Sequence, residues 1–361
     1  MSEAVLNSVV VPAVQIAVLV GVLLGCVAYL VLLERKLIAF MQVRLGPRRV
    51  GPHGLLQPIA DILKLLLKED ILPARADRLV FYLAPVILLL PALVAFAVVP
   101  FSGTPFRVLG VEVRPWITDI NVGLLYLLAI SSLGVYGIVM AGWASNSKYP
   151  LLGSLRSAAQ MVSYEIPLGL SVVSILMLAQ TASLVGIVRA QAEAGSWFVF
   201  SLPYPQIVGL FLYFVSAIAE TNRAPFDLPE AETELVAGFH TEYSGMKFAF
   251  FFLAEYANMI LVACVATVLF LGGWLPVTLG IPGLNEPLSN FVPPWGDGGA
   301  ALTGFVWFGI KVFLVLYVYL WIRATFPRYR YDQLMRLAWK WLIPLGLVHV
   351  IGTGIVLLLA S

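Results

Sequence analysis

With 60% hydrophobic and 12% charged side chains over 361 residues, the chain lies far from soluble globular proteins, in which roughly 25% of residues are charged. A mean hydropathy of +0.93 points to lipid as its solvent. The net charge is only +2, and no run of Lys or Arg interleaves with aromatic side chains, which excludes a nucleic-acid surface.

A helix needs about 20 apolar residues to cross a hydrocarbon core of roughly 30 Å. Taken in chain order, such runs predict an all-α integral membrane protein with about eight transmembrane helices: Val9 to Leu33, Val80 to Pro100, Ile120 to Ala141, Met161 to Val185, Gln206 to Ala219, Phe248 to Leu271, Leu302 to Ile322 and Trp341 to Ala360. The first run is too long for a secretory signal and no basic region precedes it, so it reads as a retained span. After it, Leu55 to Lys68 places Gln57, Asp61, Lys64 and Lys68 on one helical stripe with apolar residues elsewhere, the pattern of an amphipathic helix lying in the interface. Pro203 and Pro205 interrupt the start of the fifth span. No strand, repeat or low-complexity tract is expected, and residues 1–361 read as a single polytopic membrane domain.

Basic residues favour the cytoplasmic side of spans. Arg35, Lys36, Arg44, Arg48, Arg49, Lys64, Lys68, Arg75, Arg78, Lys148, Arg156, Arg223, Lys247, Arg323, Arg328, Arg330, Arg336 and Lys340 fall in alternate loops or at their edges, whereas the intervening loops carry only Arg107, Arg114 and Arg189. The main polar loops are therefore expected in the cytoplasm and, with eight spans, both termini outside. Cys26 and Cys264 lie in apolar stretches, which suits packing. They and His53, His240 and His349 are not spaced as metal ligands, so a redox cofactor is expected on another chain.

An ionisable group at the centre of a membrane helix costs roughly 2.5 to 3.5 kcal/mol on insertion scales, so each such group needs a reason. Glu165, Glu255 and Lys311 stand in the fourth, sixth and seventh spans, and Glu220 closes the fifth. Each can be read as a buried group satisfied by a neighbour, and Lys311 also as snorkelling toward an edge. For the glutamates, desolvation disfavours the charged form and makes a carboxyl able to gain and lose protons, which points to proton relay. The segment ETNRAPFDLPEAETELVAGFHTEY sets Glu220, Asp227, Glu230, Glu232, Glu234 and Glu242 against a single Arg223. Its apolar residues Phe226, Leu228, Leu235, Val236 and Phe239 suit it for packing better than for floating in water. Near the first span, Glu34 and Arg35 precede a Gly- and Pro-rich basic loop suited to anionic lipid, a partner protein or a polar ligand headgroup.

The loops resemble those of the H subunit of the proton-pumping NADH-quinone oxidoreductase, respiratory complex I. The similarity rests on LERK at Leu33 to Lys36, QVRLGP at Gln42 to Pro47, GLLQPIADILKLLLKE at Gly54 to Glu69, LRSAAQMVSYE at Leu155 to Glu165, ETNRAPFDLPEAETELVAGF at Glu220 to Phe239, EYSGMKFAFFFLAEYANMI at Glu242 to Ile260 and RYDQLMRLAWK at Arg330 to Lys340. Arg48 and His240 depart from the pattern, each standing where asparagine is more usual. The resemblance implies a subunit joining the redox arm to the membrane arm of a complex in the bacterial inner membrane. Its partners would be the quinone-site subunits, the neighbouring membrane subunits and lipids. Quinone would be the substrate, with FMN and iron-sulfur clusters on partner chains and no catalysis by this chain alone. Carried over by motif, Glu34, Arg35, Arg44, Asp61, Arg223, Phe226 and Asp227 would border the quinone chamber. Glu165, Glu220, Glu230, Glu232, Glu234 and Glu255 would form an acidic path leading from it.

Two other function classes use the same ingredients. The membrane component of a related energy-converting hydrogenase shares the acidic residues without a quinone site. A stand-alone proton or cation transporter also needs carboxylates within spans, but often shows repeated halves, which this sequence lacks.

Overall fold

A computed structural model describes residues 9–108, 111–227, 237–276 and 297–360. Its helices are α1 (Val11–Met41), α2 (Gln57–Leu67), α3 (Arg78–Val94), α4 (Gly123–Ser132), α5 (Gly134–Ala144), α6 (Lys148–Ala179), α7 (Leu184–Glu193), α8 (Ile207–Glu220), α9 (Gly245–Phe270), α10 (Asp297–Thr325), α11 (Tyr331–Leu337) and α12 (Ile343–Ala360). Among the described residues, seven helical stretches are long and apolar enough to cross a membrane: α1, α3 with the turn after it, α4 with α5, α6, α9, α10, and α11 with α12. The fifth expected span, α8, has only 14 residues, or about 21 Å at 1.5 Å per residue. That is shorter than the bilayer core; α8 packs one face against α6 and α9 and leaves Ile207 and Phe211 exposed.

Helix ends explain where the spans differ from the sequence expectation. α1 continues through Glu34, Arg35 and Lys36 to Met41, because Glu34 is buried among partners that satisfy it. α6 begins at Lys148 rather than Met161 and ends where Gln180 turns left-handed at φ 53°. The next residues form the separate α7, whose N-cap Ser183 accepts from the Gly186 N–H (3.1 Å) and donates to Asp119 (2.6 Å). α3 is started by Asp77, whose carboxylate accepts from Leu79 and Val80 N–H groups. One correction concerns strands. A two-stranded antiparallel hairpin, β1 (Phe106–Val108) with β2 (Val111–Val113), pairs Phe106 with Val113 and Arg107 with Glu112. Three residues a side are too few for alternation to register in a sequence.

α9 is the central rod, with every residue from Met259 to Phe270 buried. Around it, α1 turns Val14, Val18 and Val22 outward, as a lipid-facing helix does. Cys26 is likewise exposed, against the packing role expected of it, while Cys264 is buried. Small residues let neighbouring helices approach closely. A Cβ added at Gly137 of α5 would lie 2.7 Å from the Leu88 backbone nitrogen of α3. We therefore expect Gly137→Val to force α3 and α5 apart and lower both membrane yield and the thermal midpoint of the detergent-solubilised protein, whereas Gly169→Ala, where nothing lies within 4 Å, leaves both unchanged.

Lys311 does not snorkel. It is 2% exposed and donates to the carbonyls of Leu271 (2.6 Å), Gly273 (3.0 Å) and Leu275 (2.5 Å). Trp197 lies 4.6 Å from its ammonium. The ammonium thus binds carbonyls that follow the C-terminal end of α9, where a helix dipole favours positive charge. His349 of α12 sits between Gln206 (2.9 Å) and Tyr204 (3.3 Å), tying the last span to the start of α8.

Candidate functional site

The C-terminal part of α1, the turn after α8, the middle of α9 and the end of α10 converge on one buried ionic cluster. Glu34 is 5% exposed and Arg223 3%. Arg223 pairs with Glu255 on one side and lies 3.8 Å from Glu34 on the other, and Arg323 pairs closely with Glu34. The Tyr256 hydroxyl donates to Glu34 (2.9 Å), and the Arg223 guanidinium stacks 4.2 Å over the Tyr256 ring. The two carboxylates and two guanidinium groups neutralise one another, which is how a buried charge cluster escapes a desolvation cost of several kcal/mol per ion. Glu255, alone in its span by sequence, is therefore part of a network.

The backbone that presents Arg223 is held from outside the cluster. Gln160 of α6 donates to the Ala219 carbonyl (2.7 Å) and the Phe226 carbonyl (2.9 Å), and Thr221 bonds the Tyr319 hydroxyl of α10. Phe226 is buried, stacked on Tyr329 with centroids 5.5 Å apart and tilted against Tyr164 at 5.8 Å. Asp227 pairs with Arg328 at 3.2 Å.

Farther along the membrane surface, Arg35 donates to Asp61 (2.7 Å), and Gln57 donates to the other oxygen of the same carboxylate (3.0 Å). This joins α1 to the amphipathic α2, whose Ile59, Ile62, Leu63, Leu66 and Leu67 are exposed. Lys36 donates to the His53 carbonyl (2.7 Å), closing the intervening loop onto α1. Arg44 is exposed and bonds its own neighbour Gln42 (2.7 Å), outside the buried cluster.

Glu220 ends α8 and borders two cavities. The first is also lined by Glu255, Asn222, His240 and Asn258, and the second by Ser131, Tyr213 and Asn258. Each encloses about 30 Å³; since a water needs about 10–15 Å³, each has room for about two. Glu165 on α6 is near enough to Glu220 to act on it electrostatically and lies within hydrogen-bond reach of Ser132, leaving one buried carboxyl oxygen unpartnered. Glu165 thus acts on Glu220, Glu220 and Glu255 line one cavity, and Glu255, Arg223 and Glu34 meet in the ionic cluster, so that these groups lie in series. Arg35 with Asp61 adjoins Glu34 along α1, and Phe226 with Asp227 follows Arg223 in the turn after α8. Glu230, Glu232 and Glu234 lie outside the described residues.

Sequence reasoning missed Arg323 and Tyr256 as members of the cluster and Tyr319 as a support of the turn beside it. Arg323 counted only as a basic edge residue, and the tyrosines gave no signal, since an aromatic within a span ordinarily packs. Among the described residues, no group of three or more His, Cys, Asp or Glu could hold a metal ion.

Relatedness to known proteins points the same way. Residues 14–354 match the family model described as NADH dehydrogenase. The chain is similar to an H subunit of NADH-quinone oxidoreductase from Geobacter sulfurreducens, 53% identical over 93% of this chain and 91% of the relative. It is also similar to an H subunit from Koribacter versatilis, 50% identical over 95% of both, and to one from Magnetococcus marinus, 51% identical over 94% of this chain and 90% of the relative. A bundle of membrane-length helices and a match along nearly its whole length agree: the chain belongs to the H subunit family of NADH-quinone oxidoreductase, as a membrane component of that enzyme complex.

Proposed function

We propose that this chain forms the membrane-side wall and entrance of the quinone chamber and couples quinone reduction to proton movement through its buried carboxylates. The observation that carries this is Arg223 set between Glu34 and Glu255. Unit charges interact far more strongly in a poorly hydrated interior than in water. When a quinone beside the α1–α2 face gains electrons and draws protons, the added negative charge competes for Arg223 and Arg323. Glu34 and Glu255 then lose part of their compensation and take up protons. Because the carboxyls of the route titrate as a coupled set, the change passes on to Glu220 and Glu165. By their place in the family motif, Glu230, Glu232 and Glu234 belong to the same acidic path, and their loop serves in docking the redox arm.

On this reading the chain is a single membrane domain in the bacterial inner membrane with its main polar loops cytoplasmic. Partner subunits of the redox arm hold FMN and iron-sulfur clusters, and lipids cover the outward faces of α1 and α2. Two substitutions in purified complex test it. Glu220→Gln should leave assembly intact and cut NADH-driven quinone reduction and proton pumping about tenfold or more. Asp61→Asn, which weakens the Arg35 pair, should raise the KM for quinone with less effect on turnover at saturation. Full activity with unchanged KM in both variants would show that neither the chamber nor the path is here.

A further inference from the structure

The cavity between Glu255 and Glu220 contains a third titratable side chain. His240 is 6% exposed, lines that cavity, and has its Nδ1 buried without a hydrogen-bond partner. It projects from a short 3-10 turn, Gly238–His240, packed on α5 and α6. Its ring lies against Phe239, Phe248 and Phe252, with centroids 4.9, 5.3 and 6.1 Å away. A second buried, unpartnered atom, Asn222 Oδ1, belongs to the same lining. Orphaned polar atoms around a space that holds about two waters are what a water-bridged site presents.

The remaining lining decides what those waters can do. Leu88 of α3, Ile138 of α5, Met161 of α6 and Phe251 and Phe252 of α9 contribute nothing titratable, and Thr221, Asn222 and Asn258 can orient water but not change protonation near neutral pH. Among the described residues, the charged or titratable groups facing the imidazole across the cavity are Glu220 of α8 and Glu255 of α9, the latter joined to Arg223.

We propose that His240 is a proton carrier linking Glu255 to Glu220 through the water of this cavity. This rests on the proton-coupling role proposed above and extends it to a residue outside the acidic set. The step balances without electron transfer: the Glu255 carboxyl releases its proton through water to Nδ1, giving a carboxylate and an imidazolium. The imidazolium then gives a proton to the Glu220 carboxylate and returns to neutral. Burial pushes the imidazole down to about 4, so at pH 7 about one molecule in a thousand carries the charge. Such a group passes protons on and does not store them.

The test uses the assembled complex in proteoliposomes with NADH and quinone, comparing His240→Asn, His240→Gln and His240→Phe with Glu220→Gln as the control. The amides keep a hydrogen-bonding side chain and the phenyl ring keeps the volume, but none can take up a proton. Each assembled variant should lose about tenfold in coupled turnover, with a larger solvent deuterium isotope effect and an unchanged KM for quinone. A merely structural role would reduce assembly while leaving the isotope effect as it was. If Glu220→Gln is slow while every assembled His240 variant retains normal turnover and isotope effect, the inference about His240 is wrong and the coupling path stands. If Glu220→Gln is itself silent, the path falls and His240 loses its role with it.

Discussion

Replacing Arg223 by Met should abolish assembly of the complex or leave it inactive, and of the single changes at the ionic cluster it should be the most damaging. The substitution removes the guanidinium from between Glu34 and Glu255 while leaving both carboxylates in the interior. Breaking a buried ion pair from one side costs about 3–5 kcal/mol, because the remaining charge keeps its desolvation penalty. Arg223→Lys should fare better but not well: it restores the charge without the planar fork that meets one glutamate while leaning on the other and stacking on Tyr256. Adding Glu255→Gln to Arg223→Met should recover part of the loss, since the second change removes one stranded charge. Amounts of intact complex and the temperature of half-inactivation measured across this double-mutant cycle give the coupling directly. Additive effects would mean that the two residues do not work as a pair.

Lys311→Met should be the second most damaging change, and for a different reason. The volume is nearly kept, yet the carbonyls of Leu271, Gly273 and Leu275 lose their common donor in a buried place. Each buried polar group left unsatisfied costs about 1–3 kcal/mol, so a loss of about 3 kcal/mol or more is expected. Arg should not rescue it, because the larger guanidinium does not fit where three carbonyls converge on one ammonium. Thermal inactivation of the purified complex, followed through quinone reduction, checks this. Activity at low temperature should be little affected, which separates this anchor from the carboxylate route.

Hydropathy made the bundle legible, since a window of about 20 apolar residues is fixed by bilayer thickness. The ends of the helices were not legible. Glu34, Arg35 and Lys36 look like the end of a span, yet the helix runs on to Met41, because tertiary partners satisfy Glu34 and Arg35 where water would otherwise be needed. The candidate site followed the same rule. Glu255 stood out as a charge in apolar surroundings, and Glu34 and Arg223 came in through the family resemblance, but their union could not be read: Arg323 and Tyr256 are separated from Glu34 by 289 and 222 positions, and no local pattern encodes contacts at that distance. The amphipathic α2 was readable because its stripe is local. For Lys311 the snorkelling reading failed, because a lone lysine in a span gives no hint that carbonyls just past the end of another helix converge on it.

The brevity of α8 bears on how the molecule is made. At 14 residues, and about 21 Å, it falls short of what an insertion machinery recognises as a stretch able to leave the aqueous channel for lipid by itself. Its buried face needs α6, already synthesised, and α9, which emerges only afterwards. Insertion of this region is therefore a joint event, in which α8 enters the bilayer as cargo between an earlier helix and a later one. The turn carrying Arg223 takes up its position only when that trio closes, so the ionic cluster is a product of late assembly and not a feature each segment brings with it.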